Sequence, residues 1–433
     1  MGRQRTDVTL NVYLNSRLVG RLTRRSSGAV EFRYASSWLA WEHTLPVSLC
    51  LPLREDPYRG EPVSTVFDNL LPDRAEIRRL LAQRAGATGE DAFSLLAAIG
   101  RDCVGALQFL PEDAAPDPAG RIDGRPVEEN EIARLLNDLR SAPLGLDQEG
   151  EFRISIAGVQ EKTALLWWQD DWHIPHGTTP TTHILKPAIG PLPSGVDLSR
   201  SVENEHLCLC FLAELGLPVA TTSIQHFDGQ PVLVIKRFDR RWTTDGRLLR
   251  LPQEDCCQAL SIPPTLKYEP DGGPGISSIM ELLKASDTPH ADQRTFLYAQ
   301  IAYWLLGATD GHAKNFSIFL APGGRFHMAP LYDVMSMQPN VDAGEIPHGR
   351  MRLAMAVGNN RHHRADEIMP RHFEQTAANC DVAAVTIEEI LQSLVYSIPD
   401  ALHRTIEQLP ENFPAELTDS ISAGIERRLA RLR

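Results

Sequence analysis

At 433 residues the chain is too long for one small core and predicts two or three domains. Hydrophobic residues make up 42% and charged residues 23%, a balance that argues against a disordered or membrane-embedded chain. Lys and Arg total 43 against 56 Asp and Glu, and the net charge of −13 disfavours a protein that coats nucleic acid with its whole surface. The terminal "IERRLARLR" is a local basic patch, which a solvated helix end explains as well as a nucleic-acid contact does. Seven cysteines, at 50, 103, 208, 210, 256, 257 and 380, form no CxxC pair. That disfavours structural zinc and fits a reducing, cytoplasmic setting. No apolar run approaches the ~20 residues of a membrane span, and no signal peptide is visible. "MGRQRT" fits the loose N-myristoylation pattern only by chance, since no other membrane signal accompanies it.

In chain order, "VTLNVYLNSRLVGRLTRR" alternates as two strands about a turn at Asn15-Ser16, and "AVEFRYASSWL" continues the alternation. The period becomes helical in "TVFDNLLPDRAEIRRLLAQRAG", with Pro72 and Asp73 as a start signal and Gly86 as a stop. A second helix, "GEDAFSLLAAIGRD", precedes a strand-like "VGALQFL", and residues 111–130 read as an exposed connection. "EFRISIAGVQEKTALLWWQDDWHIP" and "THILKPA" are strand-like around a polar loop. "SVENEHLCLCFLAELG" is a helix capped by Ser201 and ended by Gly216. "ATTSIQHF" and "QPVLVIKRFDRRW" form a hairpin at Asp228-Gly229. After the loop "IPPTLKYEPDGGPG" the chain is mostly helical, apart from strands around "TDGHAKNFSIF". A sheet-rich first half and a helix-rich second half predict an α+β fold in two lobes.

The polar residues of "TDGHAKNFSIF" crowd a loop between a helix and a strand. Asp310 and Asn315, five apart, can share one side of that loop, and Asp333 in "MAPLYDV" is expected to return beside Asn315 on the following strand. Two oxygen ligands, Asn315 and Asp333, suit Mg²⁺, while a carboxylate left over, Asp310, suits an incoming hydroxyl. D-x-x-x-x-N, a short hairpin and a metal-binding Asp is the arrangement of protein-kinase-like enzymes. Singly, each of these residues has a bland role as a turn or cap residue. His312 reads as a packing residue of the loop rather than a metal ligand, and Lys314 as a phosphate contact or an exposed side chain. Lys186 in "THILKPA" is a cation on an apolar strand, fit to grip phosphates or to end at solvent. Lys236, Arg237 and Phe238 follow an apolar run where a hinge could meet adenine through backbone groups. The stretch "ISIAGVQEKTALL" could cover phosphates with its N–H groups, although it lacks a GxGxxG pattern and is no Walker A loop; a polar hairpin loop reads equally well.

Taken in order, "FDNLLPD", "ISIAGVQEKTALL", "HILKP", "ENEHLCL", "VIKRFDRR", "LPQEDCCQA", "TDGHAKNFSIF" and "PLYDVMS" resemble the HipA family of bacterial toxin kinases. The resemblance covers roughly residues 7 to 375. It implies a two-lobed, protein-kinase-like fold with a sheet-rich N-terminal lobe and a mainly α-helical C-terminal lobe. The expected divisions are an N-terminal subdomain at 1–110, a nucleotide-binding part at 131–255 and a helical lobe at 256–433. It implies Asp310 as catalytic base, Asn315 and Asp333 as Mg²⁺ ligands, and ATP contacts at Lys186, His312, Asn315, Tyr332 and Asp333. Ala157, Gly158, Val159, Gln160, Glu161 and Lys162 would form the phosphate loop, Lys236, Arg237 and Phe238 the adenine hinge, and Ser155 the autophosphorylation site. The implied partners are a small helix-turn-helix antitoxin of the HipB type, operator DNA through that complex, and a protein substrate in translation, an aminoacyl-tRNA synthetase of the glutamyl type being one candidate. Lys236 departs from the acidic residue common at the hinge in relatives, which leaves backbone contacts intact. A non-catalytic co-repressor and a small-molecule phosphotransferase are the competing readings.

Overall fold

The computed structural model describes residues 6–140, 144 and 160–433. Two compact units share the chain: Met1–Pro187, His226–Thr265 and Ile318–Phe326 in the first, Ala188–Gln225, Leu266–Ser317 and His327–Arg433 in the second. This division cuts across the linear one expected from the sequence. The helix Ser201–Glu214 lies in the second unit, packed on the helices Pro289–Leu306 and Ala384–Gln408, whereas the apolar segment Ile318–Phe326 lies in the first.

In the first unit, Tyr58–Arg59, Val30–Tyr34, Arg17–Arg24, Val8–Leu14 and Leu107–Pro111 form an antiparallel sheet in that order. Asn15 and Ser16 both take positive φ, 44° and 66°, the two-residue turn whose twist matches its strands. Phe32, Phe67 and Phe109 meet edge to face at 5.6 and 5.5 Å and are buried under the helices Glu61–Asp68 and Ala92–Ile99. The alternation does not run through "ASSWL", because Ser36–Leu39 is a short helix that buries Trp38. Gly86 does end the helix Ala75–Ala85, in the left-handed conformation at φ 64°.

A second sheet is ordered Thr222–Phe227, Gln230–Lys236, His183–Pro187, Thr163–Trp168, Asp171–Pro175 and Gly124–Pro126. The hairpin turn falls at Asp228 and Gly229, both at positive φ. The last strand interrupts what reads in sequence as a plain connection.

The second unit is helical around Pro289–Leu306, which is buried on almost every side. Ala415–Leu429 packs against it. The hairpin of Arg352–Val357 and His362–Arg364 is an addition to the helical second half expected from the sequence. Ser201 is the first residue of its helix rather than its cap, and its hydroxyl accepts the Ile189 N–H at 2.9 Å. Among the described residues, no helix is long and apolar enough to cross a membrane.

Candidate active site

In the second unit, the helix Pro289–Leu306 stops at Gly307, left-handed at φ 70°, and the chain turns into the polar loop. Hydrogen bonds from the loop itself fix its backbone. The Asp310 carbonyl accepts from the His312 N–H at 2.8 Å and from Asn315 Nδ2 at 2.8 Å. Asn315 ends a 3-10 turn, Ala313–Asn315, and its own N–H reaches the His312 carbonyl at 2.9 Å. A side chain at position 311 would start 2.7 Å from the Tyr303 ring, so only glycine lets the loop lie this close to the helix. Tyr332 donates its one proton to the Lys314 carbonyl at 2.9 Å, which makes the Ser317 hydroxyl, 2.6 Å away, the donor to Tyr332. Tyr332 therefore braces the loop from the neighbouring segment.

Asp333 is not on a strand. The strand Arg325–Met328 ends before it, and Asp333 sits in an irregular segment with φ 59°, a conformation that Asp tolerates better than most residues. Both sides of it are pinned. Leu331 exchanges backbone hydrogen bonds with Pro218 and Ala220 at 2.8 Å each. Ser336 is gripped at both backbone groups by the Asn204 amide, again at 2.8 Å each, and its hydroxyl donates to the Leu306 carbonyl at 2.5 Å. An unusual φ held between such clamps is a common sign of a functional position. Burial and, after it, the Asp333 charge push the Tyr303 hydroxyl far above the ordinary tyrosine range.

The Asp310 side chain is 54% exposed, whereas Asn315 and His312 are buried. The Tyr268 hydroxyl donates to Asp310 Oδ1 at 2.5 Å, and Oδ2 lies 3.9 Å from His312 Nε2. The Tyr268 ring meets the His312 ring edge-on at 4.8 Å, the packing role expected of that histidine. Sequence reasoning missed Tyr268, whose only signal was its place in the polar loop "KYEPDGG".

By chemistry, Asn315 and Asp333 offer the oxygen donors that a hard cation takes. The Asn315 amide nitrogen is taken by the Asp310 carbonyl, which leaves the amide oxygen as its ligand atom. No cluster of three His, Cys, Asp or Glu side chains able to hold a metal occurs among the described residues. One carboxylate and one amide suit Mg²⁺, which keeps positions for water and phosphate, and not a closed structural site.

The remaining described candidates lie in the first unit. Lys186 is buried on the strand His183–Pro187, opposite Leu233. Gln160 donates to the Pro187 carbonyl at 3.0 Å, Lys162 is buried, and Glu161 is half-buried. Ser155, Ala157, Gly158 and Val159 lie outside the described residues. Lys236 is exposed, and the Phe238 ring meets Phe319 edge-on at 5.8 Å.

The Arg237 side chain is fully engaged inside the first unit. The residue's backbone N–H is committed to the Thr182 carbonyl at 2.8 Å, and all five guanidinium hydrogens point at Asp102, Asp239, Thr181 and the Cys103 carbonyl. A buried guanidinium needs such a full set of partners, so at most the Arg237 carbonyl is left for a ligand. Arg240 and Arg250 join the same cluster through Asp102, at 2.9 and 2.8 Å. Burial alone would raise the Asp102 carboxyl, but Arg240, Arg250 and Arg237 overcome that and hold it far below the usual carboxylate range.

Two family models match this chain: the HipA-like C-terminal domain over residues 154–402 and the HipA N-terminal domain over residues 10–110. The chain belongs to the HipA family. Similar relatives include Y4mE of Sinorhizobium fredii, named as a candidate kinase, 36% identical with 92% of each chain covered. The serine/threonine-protein kinase toxin HipA of Shewanella oneidensis is 27% identical, over 98% of this chain and 96% of its own. In three dimensions the chain is similar to Shewanella oneidensis HipA as solved with HipB and operator DNA, at a TM-score of 0.81 and 25% identity, covering 98% of this chain and 96% of that one. The α+β, kinase-like HipA fold expected from the sequence is thus the fold of this chain.

Proposed function

We propose that this protein is the serine/threonine-kinase toxin of a HipA-type toxin–antitoxin module, transferring the γ-phosphate of ATP to a hydroxyl of a translation component. The observation that carries the reading is the polar loop. Asp310 is exposed at its tip with its backbone fixed from behind, as a group that must meet an incoming hydroxyl requires. Asn315 and Asp333 would hold Mg²⁺, whose part is to neutralise charge on the phosphate oxygens. Asp310 orients the acceptor hydroxyl and takes its proton. Lys186 and the segment 157–162 serve the phosphates. The hinge acts through Lys236 and Phe238, with Arg237 as its internal anchor.

In the same reading, the protein works in the cytoplasm with a small HipB-like antitoxin and reaches operator DNA through it, as the Shewanella oneidensis relative is found with HipB and operator DNA. Phosphorylation of Ser155 would silence the kinase, because a dianionic side chain near ATP phosphates repels them. A glutamyl-type aminoacyl-tRNA synthetase is the first substrate to try, and growth arrest with persistence the expected consequence.

Incubation of the purified protein with ATP and Mg²⁺ is expected to add about 80 Da, one phosphoryl group, at Ser155. Asp310→Ala and Asp333→Ala should each abolish that addition while leaving the fold intact by circular dichroism. Undiminished labelling in both variants would remove the mechanism.

A further inference from the structure

Backbone hydrogen bonds hold the Asp310 main chain, but nothing in its own loop holds its carboxylate at hydrogen-bond distance. That contact comes from 42 residues upstream: Tyr268 Oη donates to Oδ1, and the other oxygen lies 3.9 Å from the imidazole of His312. The phenol ring is set in turn by its edge-on contact with His312.

The segment that presents Tyr268 is built to stay in place. Glu269, next to it, is buried at its side chain and accepts from the Ala356 N–H at 2.5 Å, with Arg361 at 2.9 Å. The Tyr268 carbonyl accepts from the N–H of Asp271 at 3.1 Å and of Gly273 at 2.9 Å. Gly272 caps the short 3-10 turn at φ 95°. A side chain at 273 would start 1.9 Å from the Leu266 carbonyl oxygen, so glycine is required there. The polar stretch "KYEPDGG" is thereby a rigid mount for one hydroxyl.

We infer that Tyr268 is a positioning residue for phosphotransfer, holding the Asp310 carboxylate by one oxygen so that the rest of its acceptor capacity faces the incoming hydroxyl. The inference rests on the kinase reading of the site. An exposed carboxylate otherwise samples several rotamers, only some of which direct an acceptor oxygen at a substrate, and fixing one removes that cost from the reacting complex. A carboxylate has about four acceptor positions, so one bond from tyrosine leaves room for the substrate.

The test uses the full chain and γ-labelled ATP with Mg²⁺, counting phosphoryl groups transferred to protein or to water at saturating nucleotide, with ATP affinity measured separately by calorimetry. Tyr268→Phe keeps the ring against His312 and removes only the hydroxyl. It should lower the turnover rate about 10- to 100-fold and leave the ATP dissociation constant within about twofold, as expected for losing one hydrogen bond to a charged group. Tyr268→Ala, which also removes the ring, should lower the rate at least as far with the same unchanged affinity. Turnover in Tyr268→Phe within about twofold of the parent overturns the inference. An ATP dissociation constant raised well beyond twofold in Tyr268→Phe overturns it too, because the tyrosine would then be a nucleotide contact. If the parent protein transfers no phosphoryl group at all, the kinase reading fails first and carries this inference with it.

Discussion

Glu254 shows how one side chain ties a buried segment to pH. It lies in "LPQEDCCQA", is buried, and accepts the Leu49 N–H at 2.9 Å. Burial pushes its carboxyl up to about 8, against hydrogen bonds from Ser48 and Leu49 that pull the other way. The folded protein keeps a proton that the unfolded chain gives up above its ordinary pKa of about 4.5, so this group's contribution to stability is complete below that pH and is lost as pH rises toward about 8. Glu254→Gln imitates the protonated acid and cannot ionise. Thermal unfolding of the two proteins between pH about 5 and about 8 should show the variant losing a few degrees less than the parent. Parallel melting curves would mean that Glu254 does not titrate with folding. The candidate catalytic residues teach the complementary point. That Asp310 and Asn315 share one hydrogen-bonded loop was legible, because only five positions separate them. Tyr268 was not, because the contact that defines its role closes across 42 residues and nothing in a polar loop announces it.

At the scale of elements, what was legible was local. The turns at Asn15-Ser16 and Asp228-Gly229 carry their own conformational instructions, as does Gly86 at a helix end. What was not legible was tertiary. Asn204 grips Ser336 across 132 residues and so fixes the segment that carries Asp333, although in sequence it is one polar residue among several in its helix. The charged cluster around Asp102 is the larger case. It ties the turn after the helix Ala92–Ile99 to Arg237, Arg240 and Arg250. From sequence, Arg237 reads as one of three residues after an apolar strand whose backbone could meet adenine, and nothing there announces a buried guanidinium. Asp102→Asn keeps the shape but leaves three buried guanidiniums against one remaining carboxylate, Asp239. It should cost about 3–5 kcal/mol, the range for breaking a buried ion pair by removing one partner. Urea unfolding would measure it as a lower midpoint with unchanged slope, and a loss below about 1 kcal/mol would mean that water or a shift of the arginines compensates.

At the scale of the whole molecule, the chain passes between its two compact units after residues 187, 225, 265, 317 and 326. Neither unit is therefore a continuous stretch of sequence. The linear division at 255/256 leaves the first unit without 256–265 and 318–326, which include the strand whose Leu320 N–H reaches the Pro252 carbonyl at 3.0 Å. It also separates the helix Ser201–Glu214 from Pro289–Leu306 and Ala384–Gln408, its packing partners in the second unit. Cys208, Leu209, Phe211 and Leu212 on that helix are almost fully buried, and exposing several such side chains at once costs about 1.5–3 kcal/mol each. That total is of the same size as the whole margin by which a typical domain is stable, about 5–15 kcal/mol. Fragments 1–255 and 256–433, made separately, should thus lack protected amides in hydrogen exchange and fail to melt cooperatively. Joined in one chain they should protect amides and melt cooperatively. A fragment 256–433 that melts cooperatively alone would mean that the helical unit does not need the helix Ser201–Glu214, and that the linear division is a physical boundary after all.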